Sequence, residues 1–286
     1  MAYTINAHAK INLGLDVIRK RPDGYHDLRM IMQTIGLHDT LTFEVSDGDT
    51  VTMTCSNPEL ECDERNLVVK AVSLIADRYG IHKNINIHLE KNIPVAAGMA
   101  GGSTDGAAAL IAMNDIFRLG LTKEDLMRYG VTLGADIPFC ILGGTALSEG
   151  IGDILTPIDA PAAAHILIAK PQAGVSTGFV YGNLRLNEDT VHPDIDAIIK
   201  ALPESTTRTG RLLDNILESV TIPAYPVIDS LKNCMLENGA AGSLMSGSGP
   251  TVFGIFDDKK DAEKALKECT KLDSSIYSCI TEYYNP

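Results

Sequence analysis

A chain of 286 residues has room for one large domain or two ordinary ones, and 45% hydrophobic content suffices for packed cores. A net charge of −13 argues against nucleic acid as the main partner, and no apolar run approaches the length of a membrane helix. The start, Met1-Ala2-Tyr3-Thr4-Ile5-Asn6, lacks the pattern of an export signal; the chain reads as cytoplasmic, and its six cysteines, none in a C-x-x-C pair, as reduced and mostly buried thiols.

Residues 7 to 17 alternate, with Ala7, Ala9, Ile11, Leu13, Leu15 and Val17 on one face, which predicts a half-buried strand. Lys10 and Asn12 project together from its polar face, where a lysine taken alone is a solvated residue. Pro22-Asp23-Gly24 signals a turn. Tyr25 and His26 follow it, an aromatic face and an imidazole that could stack on and hydrogen-bond a base, but from this stretch alone an ordinary hairpin connection is the better reading. Strands are expected at 30–37, 40–45 and 50–55. Asn66 caps a helix to about Tyr79, which Gly80 stops, and Ile85, Ile87 and Leu89 alternate as a strand leading to Lys91.

That strand delivers the chain to Pro94-Val95-Ala96-Ala97-Gly98-Met99-Ala100-Gly101-Gly102-Ser103-Thr104, after which a helix-forming run begins. Small residues let backbone approach a ligand, and the first turn of a helix offers unpaired N–H groups at the positive end of its dipole. On glycine count alone a turn that only lets the helix pack on a sheet fits equally, but strand, Gly-rich loop and helix are the context that a phosphate cradle requires and favour that reading. Neither the Walker pattern nor G-x-G-x-x-G fits, so the cradle is of another type.

Thr122 with Asp125 three residues on predicts a capped helix. Asp136, set in Gly134-Ala135-Asp136-Ile137-Pro138-Phe139, suits a helix N-cap and a catalytic base equally. A glycine-flanked strand at 143–150 follows, and the prolines at 157 and 161 suggest a boundary near 155. Beyond it the pattern reads strand 164–170, helices including one at 226–238, strands 243–246 and 251–256, helix 260–271 and strand 276–283. This is the β-α-β-β-α-β order of a split ferredoxin-like motif. Ser176 is a plausible cap at the start of a helix carrying Thr177 and Tyr181, and residues 242–251 form a Gly/Ser-rich turn.

Three segments in this order, Ala9-Lys10-Ile11-Asn12-Leu13, residues 94–107 and Met245-Ser246-Gly247-Ser248-Gly249-Pro250, resemble the three motifs of the galactokinase, homoserine kinase, mevalonate kinase and phosphomevalonate kinase (GHMP) superfamily. Arg21-Pro22-Asp23-Gly24-Tyr25-His26 and Gly134-Ala135-Asp136-Ile137-Pro138-Phe139 are similar to a branch whose acceptor carries cytidine diphosphate. The resemblance spans nearly the whole chain. It implies an α+β protein with a ribosomal protein S5 domain 2-like N-terminal domain, 1–155, and a ferredoxin-like C-terminal domain, 156–286.

By that resemblance, ATP phosphates would lie on residues 94–104, with Asn66 and Lys91 near the adenosine. Tyr25 and Tyr181 would sandwich the cytosine, His26 would read its edge, and Asn12 and Thr177 would help to place the acceptor. Asp136 would accept the hydroxyl proton, Lys10 would pair with it, and Ser103 would touch Mg²⁺. The implied partners are small molecules, ATP and a cytidine diphosphate-linked polyol, without nucleic acid or membrane, acting on a monomer or weak homodimer. Related sequences often carry Gly-Leu-Gly-Gly-Gly-Ser-Ser in this loop. Ala100 replaces one of those glycines, and an alanine is strained there if φ is positive. The competing readings are a mevalonate- or homoserine-type kinase, a non-catalytic nucleotide-binding module, and a fold whose glycines serve packing alone.

Overall fold

The structure, a computed structural model, describes residues 2–286. It opens with two long strands, β1 (Ala2–Lys20) and β2 (His26–Asp47). In the turn between them the Arg21 amide donates to the Tyr25 carbonyl at 2.8 Å, and the Asp23 carboxylate accepts the Tyr25 amide at 3.1 Å. The two strands expected at 30–37 and 40–45 are one. No proline or positive-φ residue interrupts the backbone from 28 to 47, so the extended conformation simply continues.

The chain then forms β3 (Val51–Cys55), α1 (Leu67–Tyr79), β4 (Lys83–Glu90), α2 (Gly101–Phe117), α3 (Lys123–Leu133), α4 (Ile137–Leu142), β5 (Thr145–Gly150), β6 (Ile154–Pro157) and β7 (His165–Lys170). It goes on through α5 (Thr177–Asn183), α6 (Ile195–Ala201), α7 (Thr206–Leu212), β8 (Asp214–Asn215), α8 (Glu218–Ala224) and α9 (Val227–Glu237). It ends with β9 (Gly242–Met245), β10 (Val252–Phe256), α10 (Lys259–Leu272) and β11 (Tyr277–Glu282). These elements fold into two compact units that are not consecutive halves of the chain. One holds the stretch up to Ala9, Leu37–Val95 and Ala100–Gly143; the other holds Lys10–Gly36, Ala96–Met99 and Gly144–Pro286.

In the first unit, residues 40–47 of β2 pair antiparallel with β4, and β4 pairs parallel with β3. Leu41, Phe43, Ile85, Ile87 and Leu89 put one sheet face into a core shared with Val68, Ala71, Val72 and Ile75 of α1 and Ala107–Met113 of α2. Each large side chain so buried contributes about 1.5–3 kcal/mol. The predicted caps form: the Asn66 side chain accepts the Val68 amide, Gly80 ends α1 in the left-handed conformation, and Thr122 and Asp125 make a capping box.

In the second unit, residues 28–33 of β2 pair antiparallel with β5, and β8 pairs parallel with β1 at Gly14 and Leu15. A separate four-stranded sheet has the order β11-β7-β10-β9, every pairing antiparallel. Its elements follow the predicted β-α-β-β-α-β order, with α5 to α9 and β8 between β7 and β9.

β1 departs from the half-buried strand that alternation predicts. From Ala9 to Val17 both faces are buried, and the polar face carries Lys10, Asn12 and Asp16 at 5%, 0% and 4% exposure. Part of the cover is α6: a Cβ at Gly14 would stand 2.8 Å from Ile198 Cδ1 and 2.9 Å from Ile195 Cδ1. Among the described residues no helix is long and apolar enough to cross a membrane. The six cysteines carry free thiols, but only Cys269 is fully buried; the others are half-buried, short of the mostly buried set expected.

Candidate active site

The three sequence-distant motifs meet in the second unit. The Lys10 amide donates to the Met99 carbonyl at 3.2 Å, and Ser246 Oγ donates to the Gly98 carbonyl at 2.9 Å. Gly98 has φ +72°, and a Cβ on it would lie 2.3 Å from the Ser246 carbonyl oxygen, so glycine is required for this approach. The third motif is held in turn by Asn215, whose side-chain amide donates to the carbonyls of Met245 and Gly247 at 2.9 and 2.8 Å. On β1 the Lys10 ammonium donates to Asn12 Oδ1 at 2.7 Å, and Asn12 Nδ2 lies 3.3 Å from the Met30 sulfur. Burial of both side chains makes this pairing obligatory, since an unmatched polar group there would be costly.

The same unit gathers the residues expected to take the acceptor. His26 lies against Tyr181, ring centroids 5.2 Å apart and planes inclined at 40°. Partial burial, then the charge of Lys20, holds the His26 imidazole below its ordinary pKa. Tyr25 stands 63% exposed at the turn. Ser176 caps α5 by accepting the Phe179 amide, and the Thr177 hydroxyl shares a 3.0 Å hydrogen bond with Ser248 of the third motif.

In the first unit, α2 begins with no side-chain cap and no acidic residue in its first turn. No side chain therefore caps its leading amides, which stand at the positive end of a 17-residue helix. Ala100 precedes it at φ +56°, and Ala96 takes φ +51°. The strain expected at Ala100 is present, and a second alanine shares it. The hydroxyls of Ser103 and Thr104 differ. Thr104 is buried and donates to the His8 carbonyl at 2.5 Å, whereas Ser103 lies next to the turn that carries Asp136, 4.0 Å from where a Cβ on Gly134 would be. Asp136 occupies the N-cap position of α4, but its carboxylate makes no capping hydrogen bond.

Asn66 and Lys91 meet a geometry different from free side chains beside an adenosine. The Asn66 amide group is already spent, its oxygen on the Val68 amide and its nitrogen on the Glu61 carbonyl. The Lys91 ammonium, 4% exposed, is clasped by Asp39 and by Asp105, the latter at 2.7 Å. Asp39 also accepts the amides of Asn92 and Ile93 at 2.5 and 2.8 Å, which pins the entry to the loop. Burial works against the lysine's charge, but Asp105 and Asp39 outweigh it and hold its pKa above the ordinary value. Asp105 is pushed up to about 8, chiefly by burial, with the neighbouring Asp39 charge adding to it. Asp39, Asp105 and Asn215 were not singled out by sequence reasoning, and Ser246 entered only as a member of the third motif. The available signal was Asp105 inside the loop-to-helix run, a carboxylate that apolar surroundings oblige to find a cation.

Two family descriptions match this chain: the GHMP kinases N terminal domain over residues 66–144 and the GHMP kinases C terminal over residues 186–273. A 4-diphosphocytidyl-2-C-methyl-D-erythritol kinase of Lachnoclostridium phytofermentans is 50% identical over 93% of this chain and 91% of its own length. One of the same name from Acetivibrio thermocellus is 48% identical over 97% of each chain. The chain belongs to the GHMP kinases. The crystal structure of a 4-(cytidine 5'-diphospho)-2C-methyl-D-erythritol kinase superposes on this GHMP kinase with a TM-score of 0.84 at 30% identity, covering 99% of this chain and all of the other. The homoserine kinase of Cytophaga hutchinsonii, 21% identical with a TM-score of 0.74, shares the α+β fold with it over 97% of this chain and 95% of its own. Within the kinase, the bond from Ser246 to Gly98 thus joins the matched C-terminal span to the matched N-terminal span, and the bond from Lys10 to Met99 adds β1 to them.

Proposed function

We propose that this kinase transfers the γ-phosphoryl group of ATP to the 2-hydroxyl of 4-diphosphocytidyl-2-C-methyl-D-erythritol, a step of non-mevalonate isoprenoid precursor synthesis. The meeting of the three motifs around Gly98 is the observation that carries this reading, and the high identity to kinases bearing that substrate's name supports it. In family terms the chain divides into an S5-like domain, 1–155, and a ferredoxin-like domain, 156–286. The antiparallel order β11-β7-β10-β9 supports the second name.

In this reading the leading amides of α2 and the loop 94–104 take the triphosphate. Asn66 and Lys91, with their polar groups engaged, shape the nucleotide's side of the site. Among the described residues no cluster of His, Cys, Asp or Glu could hold a metal alone. Ser103 would be the protein contact of an Mg²⁺ ion brought in with the nucleotide, which would supply charge neutralisation for the phosphates. Tyr25 and Tyr181 sandwich the cytosine, His26 reads its edge, and Asn12 and Thr177 position the polyol.

Asp136 takes the hydroxyl proton as the acceptor oxygen bonds to γ-phosphorus and the bond to the ADP oxygen breaks. Lys10 steadies the charge on the carboxylate and on the group in transit. Such catalysis is mainly positioning and electrostatics. The test is ADP release with 4-diphosphocytidyl-2-C-methyl-D-erythritol, mevalonate and homoserine supplied separately. Turnover with the first alone is expected, and a preference for either of the others would overturn the assignment.

A further inference from the structure

The helix that carries Thr177 and Tyr181 is poorly anchored by its own packing. α5 has seven residues, too short to hold a helical orientation unaided, and Val180 is its one buried residue. Its place must be set by tethers on either side. Upstream, Tyr225 Oη donates to the Gly174 carbonyl at 3.2 Å, and Thr177 shares its hydroxyl with Ser248. Within α5, Tyr181 rests on His26. Downstream the chain runs through largely exposed residues from 184 to 191 and then meets β1 and β2 again.

That return is marked by a buried charge. Asp16 lies two residues beyond Gly14 on the face of β1 that also bears Lys10 and Asn12, and its side chain is 5% exposed. A carboxylate so buried is unfavourable without a hydrogen-bonding partner. The partner is His192, with Nδ1 2.8 Å from Asp16 Oδ1 and the ring 41% exposed. An ionised carboxylate only accepts, so Nδ1 donates. The other acidic group nearby, Asp214 on β8, is exposed and repels Asp16 rather than pairing with it; desolvation raises its pKa and the Asp16 charge adds to the rise. Just after His192, Ile195 and Ile198 fill the space that Gly14 leaves open, and Asp196 accepts two hydrogen bonds from Arg29, at 2.7 and 2.8 Å.

We propose that the Asp16–His192 contact is a latch that closes the 176–192 segment onto β1 and so positions Tyr181 and Thr177 for the acceptor. Asp16 and His192 are positioning residues: neither touches substrate, and both act through α5. The proposal rests on the acceptor reading given above for Thr177, Tyr181 and His26. It assigns a function to the one buried carboxylate on the strand face of Lys10 that the phosphoryl transfer does not use.

The latch predicts a change confined to the acceptor. In steady-state assays with 4-diphosphocytidyl-2-C-methyl-D-erythritol and ATP, His192→Ala should raise the acceptor KM about tenfold, the loss of one charge-assisted hydrogen bond. The ATP KM and kcat should stay within about twofold. His192→Asn, whose amide nitrogen reaches the place of Nδ1, should restore most of the loss. The double variant Asp16→Asn with His192→Ala strands no charge, so it should fold as the wild type does and still show the raised acceptor KM.

An unchanged acceptor KM in the double variant, or KM values for both substrates rising together with a lowered melting temperature, would overturn the latch. Failure of the acceptor reading has a different signature. The wild-type protein itself would then neither turn over this acceptor nor bind CDP in calorimetry.

Discussion

Ser246 and Gly98 are locked face to face: the serine hydroxyl donates to the glycine carbonyl at 2.9 Å, and the space over the glycine Cα is taken by the serine's own carbonyl. A side chain at 98 would meet backbone at 2.3 Å, and φ there is +72°. Both penalties act on Gly98→Ala, an αL cost of about 1–2 kcal/mol and an overpacking cost of about 1–3 kcal/mol. Denaturant unfolding should show a loss of about 2–5 kcal/mol. Turnover should fall even well below the melting temperature, because the loop can no longer seat on residues 246–249. A variant with wild-type stability and turnover would mean that the loop is not held in this way.

Ala100 offers the opposite experiment. At φ +56° it stores strain that a glycine would not feel. The relief, about 1–2 kcal/mol, is partly offset by the greater freedom of glycine in the unfolded chain, about 0.4–1 kcal/mol. Ala100→Gly should therefore stabilise the protein by about 0.5–1 kcal/mol in chemical denaturation. If the strain serves to aim the α2 amides, the ATP KM should rise at the same time.

Asp39 joins three donors: the Lys91 ammonium and the amides of Asn92 and Ile93. Asp39→Ala would leave those amides unpaired and the ammonium with Asp105 alone. Removing one partner of a buried ion pair costs about 3–5 kcal/mol. Equilibrium unfolding should show a loss in that range, and Asp39→Asn, which can still accept from the amides, a smaller one. Equal losses in the two variants would show that charge rather than hydrogen bonding holds the loop entry.

The fold was legible where a single period or cap governs a segment. Asn66, Gly80, Thr122 with Asp125, and Ser176 all cap the helices that they announce, because capping is decided within a few residues. β1 was misread as half-buried because alternation reports one face at a time. The cover over Lys10, Asn12 and Asp16 comes from residues as far away as Ile198. The partners of Lys91 were hidden for a related reason. Nothing near it in sequence reveals that Asp39, 52 residues back, has already claimed its charge. Positions of loops and motifs followed from the sequence, whereas the partners of buried charges needed the tertiary structure.

His26 sets a pH dependence. Burial, then the charge of Lys20, holds its pKa below the ordinary histidine value of about 6.5. The folded protein therefore keeps the ring neutral where the unfolded chain would already bind a proton. Its contribution to stability is complete above the ordinary value and is lost as pH falls through the depressed one. Acceptor recognition should follow the same sign. The acceptor KM should be flat from neutral pH upward and should rise in acid, while His26→Gln should remove the acid rise at the price of a higher KM throughout. An acid rise that survives in His26→Gln would assign it to another group.

Asp136 carries the chemical step in the proposed mechanism. Its position at the N-cap of α4 gives a structural reason to keep an aspartate there, but its carboxylate does not cap. Asp136→Asn should accordingly leave the melting temperature nearly unchanged, since no hydrogen bond to the helix is lost. Turnover should fall about a thousandfold, the usual worth of a general base. ATP affinity should persist, because the phosphates rest on the loop and on the α2 amides. Lys10→Ala combined with Asp136→Asn should cost little more than the worse single variant, as expected for residues that act as a unit. Additive losses would show two independent roles, and a well-folded Asp136→Asn enzyme with near-normal turnover would remove Asp136 from the chemistry altogether.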